Sequence, residues 1–168
     1  MKRRHFAASL YSSLDEPMEQ YERNILQHIE QHGCSVTSVF DPDEKEPPFS
    51  YSIGIARSSG APEIIVVGLN AKLAHWMVNE YNRRCQADER FQPGVLYLGF
   101  LDGFAVQFGP VAREHRAAYM RSACWLHDGP DFEAVQLIWP TTSGVWPWEP
   151  AASEWFRSNQ PLLGSEAP

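Results

Sequence analysis

The chain has 168 residues, the size of one domain, and 43% of them are hydrophobic, enough for a single core held without disulfides or a structural metal. Fourteen Lys and Arg stand against 21 Asp and Glu, a formal net charge of −7. That balance argues against nucleic acid as a main partner, because phosphate backbones are bound by clustered cations.

Cys34, Cys85 and Cys124 are scattered and form no CxxC pair, which removes zinc-ribbon and disulfide-scaffold readings and suits the cytoplasm. No apolar run reaches the roughly 20 residues of a membrane helix, so no membrane partner is expected. The N-terminus opens on positive charge, but its apolar stretch is short and broken by Ser9, Ser12 and Ser13. Residues 1–14 therefore read as a flexible tail rather than a signal peptide.

The first predicted helix runs from about Asp15 to His32, where Met18, Tyr21, Ile25 and Ile29 recur at helical spacing. Gly33 suits its end. Cys34 to Phe40 alternates with period two and reads as a strand, and Asp41 to Pro48, acidic and rich in proline, reads as a loop. Phe49 to Ile55 alternates again, with Phe49, Tyr51, Ile53 and Ile55 on one face and Ser50, Ser52 and Gly54 on the other. After a turn from Arg57 to Pro62, Glu63 to Leu69 forms an apolar run, the mark of a strand covered on both faces. The two strands make a hairpin.

Asn70 is the expected N-cap of a second helix reaching about Ala87, with Leu73, Trp76, Met77, Tyr81 and Cys85 as its apolar stripe. Strands over Val95 to Leu101 and Phe104 to Val111 flank Asp102-Gly103, a strong hairpin turn. A third helix is predicted from Arg113 to His127, with Ala117, Met120, Cys124 and Trp125 inward. Ala134 to Trp139 is the last strand, and the segment after it is rich in Pro and Trp without clear periodicity.

This order implies an α+β domain over residues 15–163, followed by a short tail at 164–168. Its sheet should be mostly antiparallel and could close into a barrel-like form. Two or three helices pack on it, and a Trp/Pro-rich C-terminal lid completes the domain.

Candidate chemistry is sparse. His28 and His32 stand one turn apart with Cys34 beyond, but no third ligand is evident, and histidines in a last helical turn are favourable against the helix dipole. No metal is expected. His75, Asn79 and Asn82 form a polar facet that could orient a ligand or simply face water. Ser50, Ser52 and Arg57 could hold a phosphate or carboxylate, or make an ordinary polar hairpin tip. Nucleophile-elbow, dinucleotide and Walker motifs are absent. The densest local signal is Gln136 to Trp148, where Trp139, Trp146 and Trp148 stand beside prolines around a Gly turn. Such indoles either close the core or present a contact surface.

Phe49 to Ile55, Pro62 to Leu69, Leu73-Ala-His75, and Gln136-Leu-Ile-Trp-Pro140 with Trp146-Pro-Trp148 resemble the bacterial domain-of-unknown-function family numbered four-two-six-two, over about Ile25 to Leu163. Family members often carry a His immediately before the Pro-Glu pair; here Ala61 occupies that place. The resemblance implies membership and brings no established activity. The order of elements is also similar to that of flavin-binding split barrels, which commonly form dimers with flavin at the interface, a likeness of fold alone.

The function expected is that of a non-catalytic domain binding a small polar or acidic ligand, or a protein partner, because no complete catalytic set can be assembled. Its ligand-binding set would be Ser50, Ser52, Arg57, His75, Asn79, Trp139, Trp146 and Trp148. The alternative is a flavin-dependent oxidoreductase of split-barrel type, with FMN phosphate on Ser50, Ser52 and Arg57 and indoles over the ring. The surplus of indoles near the C-terminus also suggests a homodimer.

Overall fold

The computed structural model describes residues 6–168, and the side chains of residues 19–168. Residues 1–5 of the expected tail, and the side chain of Met18, lie outside the described residues. Helix α1 spans Phe6–His32, starting well ahead of Asp15. Strands β1 (Ser35–Val39) and β2 (Phe49–Ile53) pair antiparallel, with Thr37 opposite Tyr51. β3 (Glu63–Val67) pairs antiparallel with β2 and is buried along its whole length. Where only a turn was expected, the β2–β3 connection carries a short helix α2 (Ile55–Ser59).

Helix α3 spans Ala71–Gln86 and is capped as expected, the Asn70 side chain accepting from the Leu73 N–H at 2.9 Å. β4 (Tyr97–Leu101) and β5 (Phe104–Pro110) form the hairpin around Asp102-Gly103. The predicted third helix is two, α4 (Arg113–Tyr119) and α5 (Arg121–Leu126), broken at Met120 with φ −104 and ψ 51. β6 (Ala134–Ile138) follows, and α6 (Glu154–Asn159) forms in the segment that showed no periodicity. Its N-cap is Ser153, whose hydroxyl accepts from the Phe156 N–H.

The strand order is β1-β2-β3-β6-β5-β4. β6 enters between β3 and β5, parallel to the first and antiparallel to the second, so the sheet is mixed but mostly antiparallel. It stays open instead of closing like a barrel. Helices cover both faces, which buries the apolar surface that closure would otherwise hide.

One layer sets Ile64, Val66 and Leu137 of the sheet against Ala74, Met77, Val78 and Tyr81 of α3. The other sets Tyr51, Ile53, Ile65 and Val67 against Ile25 of α1, Met120 and Ala123. Full burial of each such side chain contributes about 1.5–3 kcal/mol.

Four side chains expected inward are not. Trp76 is 50% exposed, Trp125 39%, and Tyr21 and Ala117 also face solvent. On α3 the buried stripe includes Ala74 and Val78, which the larger Trp76 masked in the apolar pattern. Beyond α4, the break at Met120 resets the helical phase, so Ala123 turns inward in place of Trp125.

The C-terminal segment is fastened by two buried amides. Gln160 accepts from the Trp139 N–H at 2.9 Å and donates to the Trp139 carbonyl at 2.8 Å. Gln136 donates to the Pro161 carbonyl and accepts from the Leu163 N–H. The Trp139 indole N–H donates to Val67 O, and Asn159 donates to Gly68 O. The segment thus straps the C-terminal ends of β3 and β6.

Candidate functional site

The N-terminal end of β3 is built differently. Beyond the Tyr51–Ile65 pair, β2 and β3 splay, and the Ser52 hydroxyl fills the gap. It accepts from the Ile64 N–H at 2.9 Å and donates to Glu63 Oε2 at 2.5 Å. Gly54 follows with φ +107, and a Cβ there would come within 2.6 Å of Ile29 Cγ1. This turn directs three successive amides at one carboxylate: Gly54 and Ala56 N–H donate to Glu63 Oε1, and Ile55 N–H to Oε2.

Glu63 has no solvent exposure. A buried carboxylate without partners costs many kcal/mol, and here charge-assisted hydrogen bonds offset that cost. A fifth donor arrives from the end of α5, His127 Nε2, 3.0 Å from Oε1. Because a carboxylate oxygen can only accept, Nε2 takes the donor role and Nδ1 is left facing away from Glu63. The imidazole stacks on Phe132 with ring centroids 4.7 Å apart, which fixes its plane. Nδ1 makes no hydrogen bond among the described residues.

His127 lines an open cleft of about 450 Å³ together with Ala56, Arg57 and Leu126. Arg57 is exposed, and its guanidinium has no acidic partner among the described residues. A planar fork of N–H donors next to an imidazole whose far nitrogen is anchored can bind a carboxylate or phosphate and exchange a proton with a ligand hydroxyl or amine.

The residues expected from sequence do not gather here as one set. Arg57 does line the cleft, and Ser52 supports it from behind through Glu63. Ser50 is buried, its hydroxyl 2.8 Å from that of Ser38. His75 and Asn79 are exposed on α3, while Asn82 turns inward and donates to the His32 carbonyl. The polar facet is therefore divided.

Trp139 sits at the far end of β3, roughly 13 Å away along a five-residue strand. Trp146 and Trp148 are half-buried and stack on each other at 5.3 Å. None of the three indoles lines the Arg57–His127 cleft.

FMN phosphate does not fit Ser50 and Ser52: one hydroxyl is paired to Ser38, and the other donates to a carboxylate that would repel the phosphate. Among the described residues no group of three or more His, Cys, Asp or Glu is placed to hold a metal ion, and no helix is long and apolar enough to cross a membrane. Burial pushes the Cys34 thiol up to about 12 and the Cys85 thiol to about 11, which keeps both protonated.

Sequence reasoning missed Glu63 and His127. The available signal was a single acidic residue opening a run otherwise apolar enough to be buried on both faces. For His127 no comparable signal exists, since its position in a last helical turn has an ordinary explanation.

Fold and site together define an α+β domain with an open mixed sheet, helices on both faces, and at one end a buried Glu63 bonded to a partly exposed His127. The chain belongs to the family of the domain of unknown function DUF4262, whose model matches residues 28–153, a span that contains both Glu63 and His127. No curated protein and no solved structure matches the chain.

Proposed function

We propose that this domain binds a small acidic metabolite in the cleft between Arg57 and His127, with Glu63 acting from behind to hold the imidazole. The observation that supports the reading is the Glu63–His127 pair. A carboxylate that three amides and a hydroxyl already satisfy gains little from a fifth donor, whereas the imidazole gains a fixed tautomer and a fixed orientation. The Arg57 guanidinium, which pairs with no acidic side chain among the described residues, supplies the charge that an anion requires. Among the described residues no Ser, Thr, Cys or Lys lines the cleft, so we read binding rather than covalent catalysis. Three unpaired thiols are in keeping with a cytoplasmic setting.

The test is calorimetry with a panel of small carboxylates and phosphates on the wild type, Arg57→Ala and His127→Ala. One ligand class should bind the wild type and lose about tenfold or more on Arg57→Ala, since hydrogen bonds to a charged group contribute about 1.5–3 kcal/mol. Thermal unfolding of Arg57→Ala should be unchanged. If no anion binds, or Arg57→Ala binds as tightly as wild type, the cleft is not an anion site.

A further inference from the structure

A second cleft, of about 560 Å³, opens at the opposite end of the sheet between the β1–β2 loop and α6. Its walls are apolar: Phe40, Pro47 and Pro48 on the loop, Trp155 on the helix. Phe40 is 73% exposed and Trp155 71%. The exposure of Trp155 follows from how α6 is anchored. Phe156 is buried edge-on against Trp139, Ser153 caps the first turn, and Asn159 is tied to Gly68, so residue 155 has only the outward direction left. A short helix fixed at both ends therefore holds an indole in water.

The rim is acidic. Asp41 is used internally, its carboxylate accepting from the N–H groups of Asp43, Lys45 and Glu46, which shapes the loop and holds its carboxyl below the usual range. Glu44 and Glu46 have no cationic partner among the described residues. Lys45, the one cation lining the cleft among the described residues, lies 3.6 Å from Asp43. Two uncommitted carboxylates thus flank two exposed aromatic faces, on a chain whose net charge is already −7.

We propose that this groove docks an extended basic segment of a partner protein. Lys or Arg head groups would meet Glu44 and Glu46, while their aliphatic stems and apolar neighbours lie along Phe40, Pro47 and Trp155. Aromatic faces attract such cations as well as covering their stems. An acidic or neutral segment would leave both carboxylates unpaired. A second copy meeting through the same face would set Glu44 and Glu46 against their own equivalents, which like-charge repulsion disfavours. The site is independent of the Arg57–His127 cleft.

The probe is a blocked peptide of alternating Leu and Lys, titrated by calorimetry and by amide NMR of the full chain. Controls are the matching Leu–Glu peptide and spermidine. The Leu–Lys peptide should shift amides in 40–48 and 154–159, weaken with added salt, and lose about tenfold in affinity on Trp155→Ala and again on the pair Glu44→Lys, Glu46→Lys. Both variants alter exposed residues and should unfold at the wild-type temperature, which separates lost docking from lost folding. Any of three results overturns the proposal: equal binding of the Leu–Glu peptide, unchanged affinity in the two variants, or spermidine binding as tightly as the peptide.

Discussion

His127 Nε2 lies 3.0 Å from Glu63 Oε1, joining the end of α5 to the start of β3 across 64 residues of sequence. The pair ties the layer beneath α5 to the splayed end of the β2–β3 hairpin. Glu63→Gln keeps the shape but sets an amide N–H₂ against former donors, so even with its carbonyl at the Oε1 position the Ile55 N–H and the Ser52 O–H lose their acceptor. The expected loss is about 2–4 kcal/mol, read as a lower midpoint in urea unfolding. A midpoint within experimental error of wild type would show that the carboxylate is dispensable.

A double-mutant cycle on Glu63→Gln and His127→Ala isolates the bond between them. The single effects should fail to add by about 0.5–3 kcal/mol. Full additivity would mean that His127 is held by Phe132 stacking alone.

Gly68 has φ +88, and a Cβ there would approach the Asn159 carbonyl oxygen to 2.4 Å. Gly68→Ala should therefore cost about 1–3 kcal/mol and loosen the C-terminal strap. Hydrogen exchange over residues 139–163 should accelerate while the Glu63 end of the sheet stays protected. Uniform acceleration across the domain would instead show that the strap and sheet open together.

Glu80 is drawn down to about 2, first by its hydrogen bond to Arg83 and then by Arg84, against an opposing effect of desolvation. Its carboxyl is lower in the folded than in the unfolded chain, so the stabilisation is present above about pH 4.5 and fades as pH falls towards 2. Arg83 is largely in water and contributes little. Arg84, which also covers Phe100 and donates to the Leu98 carbonyl, makes the less exposed of the two pairs, so its share is less screened. Glu80→Gln should cost about 1–2 kcal/mol at pH 7 and nearly nothing at pH 2. A difference from wild type that does not shrink with acid would disprove the assignment.

Timed alkylation at pH 8, mapped by mass spectrometry, should label half-buried Cys124 first. Cys34 and Cys85, buried and held protonated, should wait for unfolding. Labelling of Cys34 as fast as Cys124 would contradict its burial.

Features governed by neighbours in the chain were legible beforehand. The Asn70 cap, the Asp102-Gly103 hairpin and the doubly covered β3 each depend on a few adjacent residues. The phase of α3 was misread because Trp76 weighs heavily in an apolar count while Ala74 and Val78, which fill the interface, weigh little. The break at Met120 left no Pro or Gly signal; its backbone turns so that a fully buried side chain meets the sheet. Of the candidate site, Arg57 was visible as an uncommitted cation near hydroxyls, but Ser50 and Ser52 turned out to bond inside the protein.

The amino-acid sequence alone determined the α+β class, the family, and where most elements begin and end, because capping, turn chemistry and alternation act over a few residues. Tertiary structure decided that β6 lies between β3 and β5, that the C-terminal segment straps one end of the sheet, and that Glu63 meets His127 at the other. The reason is physical. A buried charge is tolerable only where donors from β2, α2 and α5 converge, and that convergence exists only once distant segments have packed.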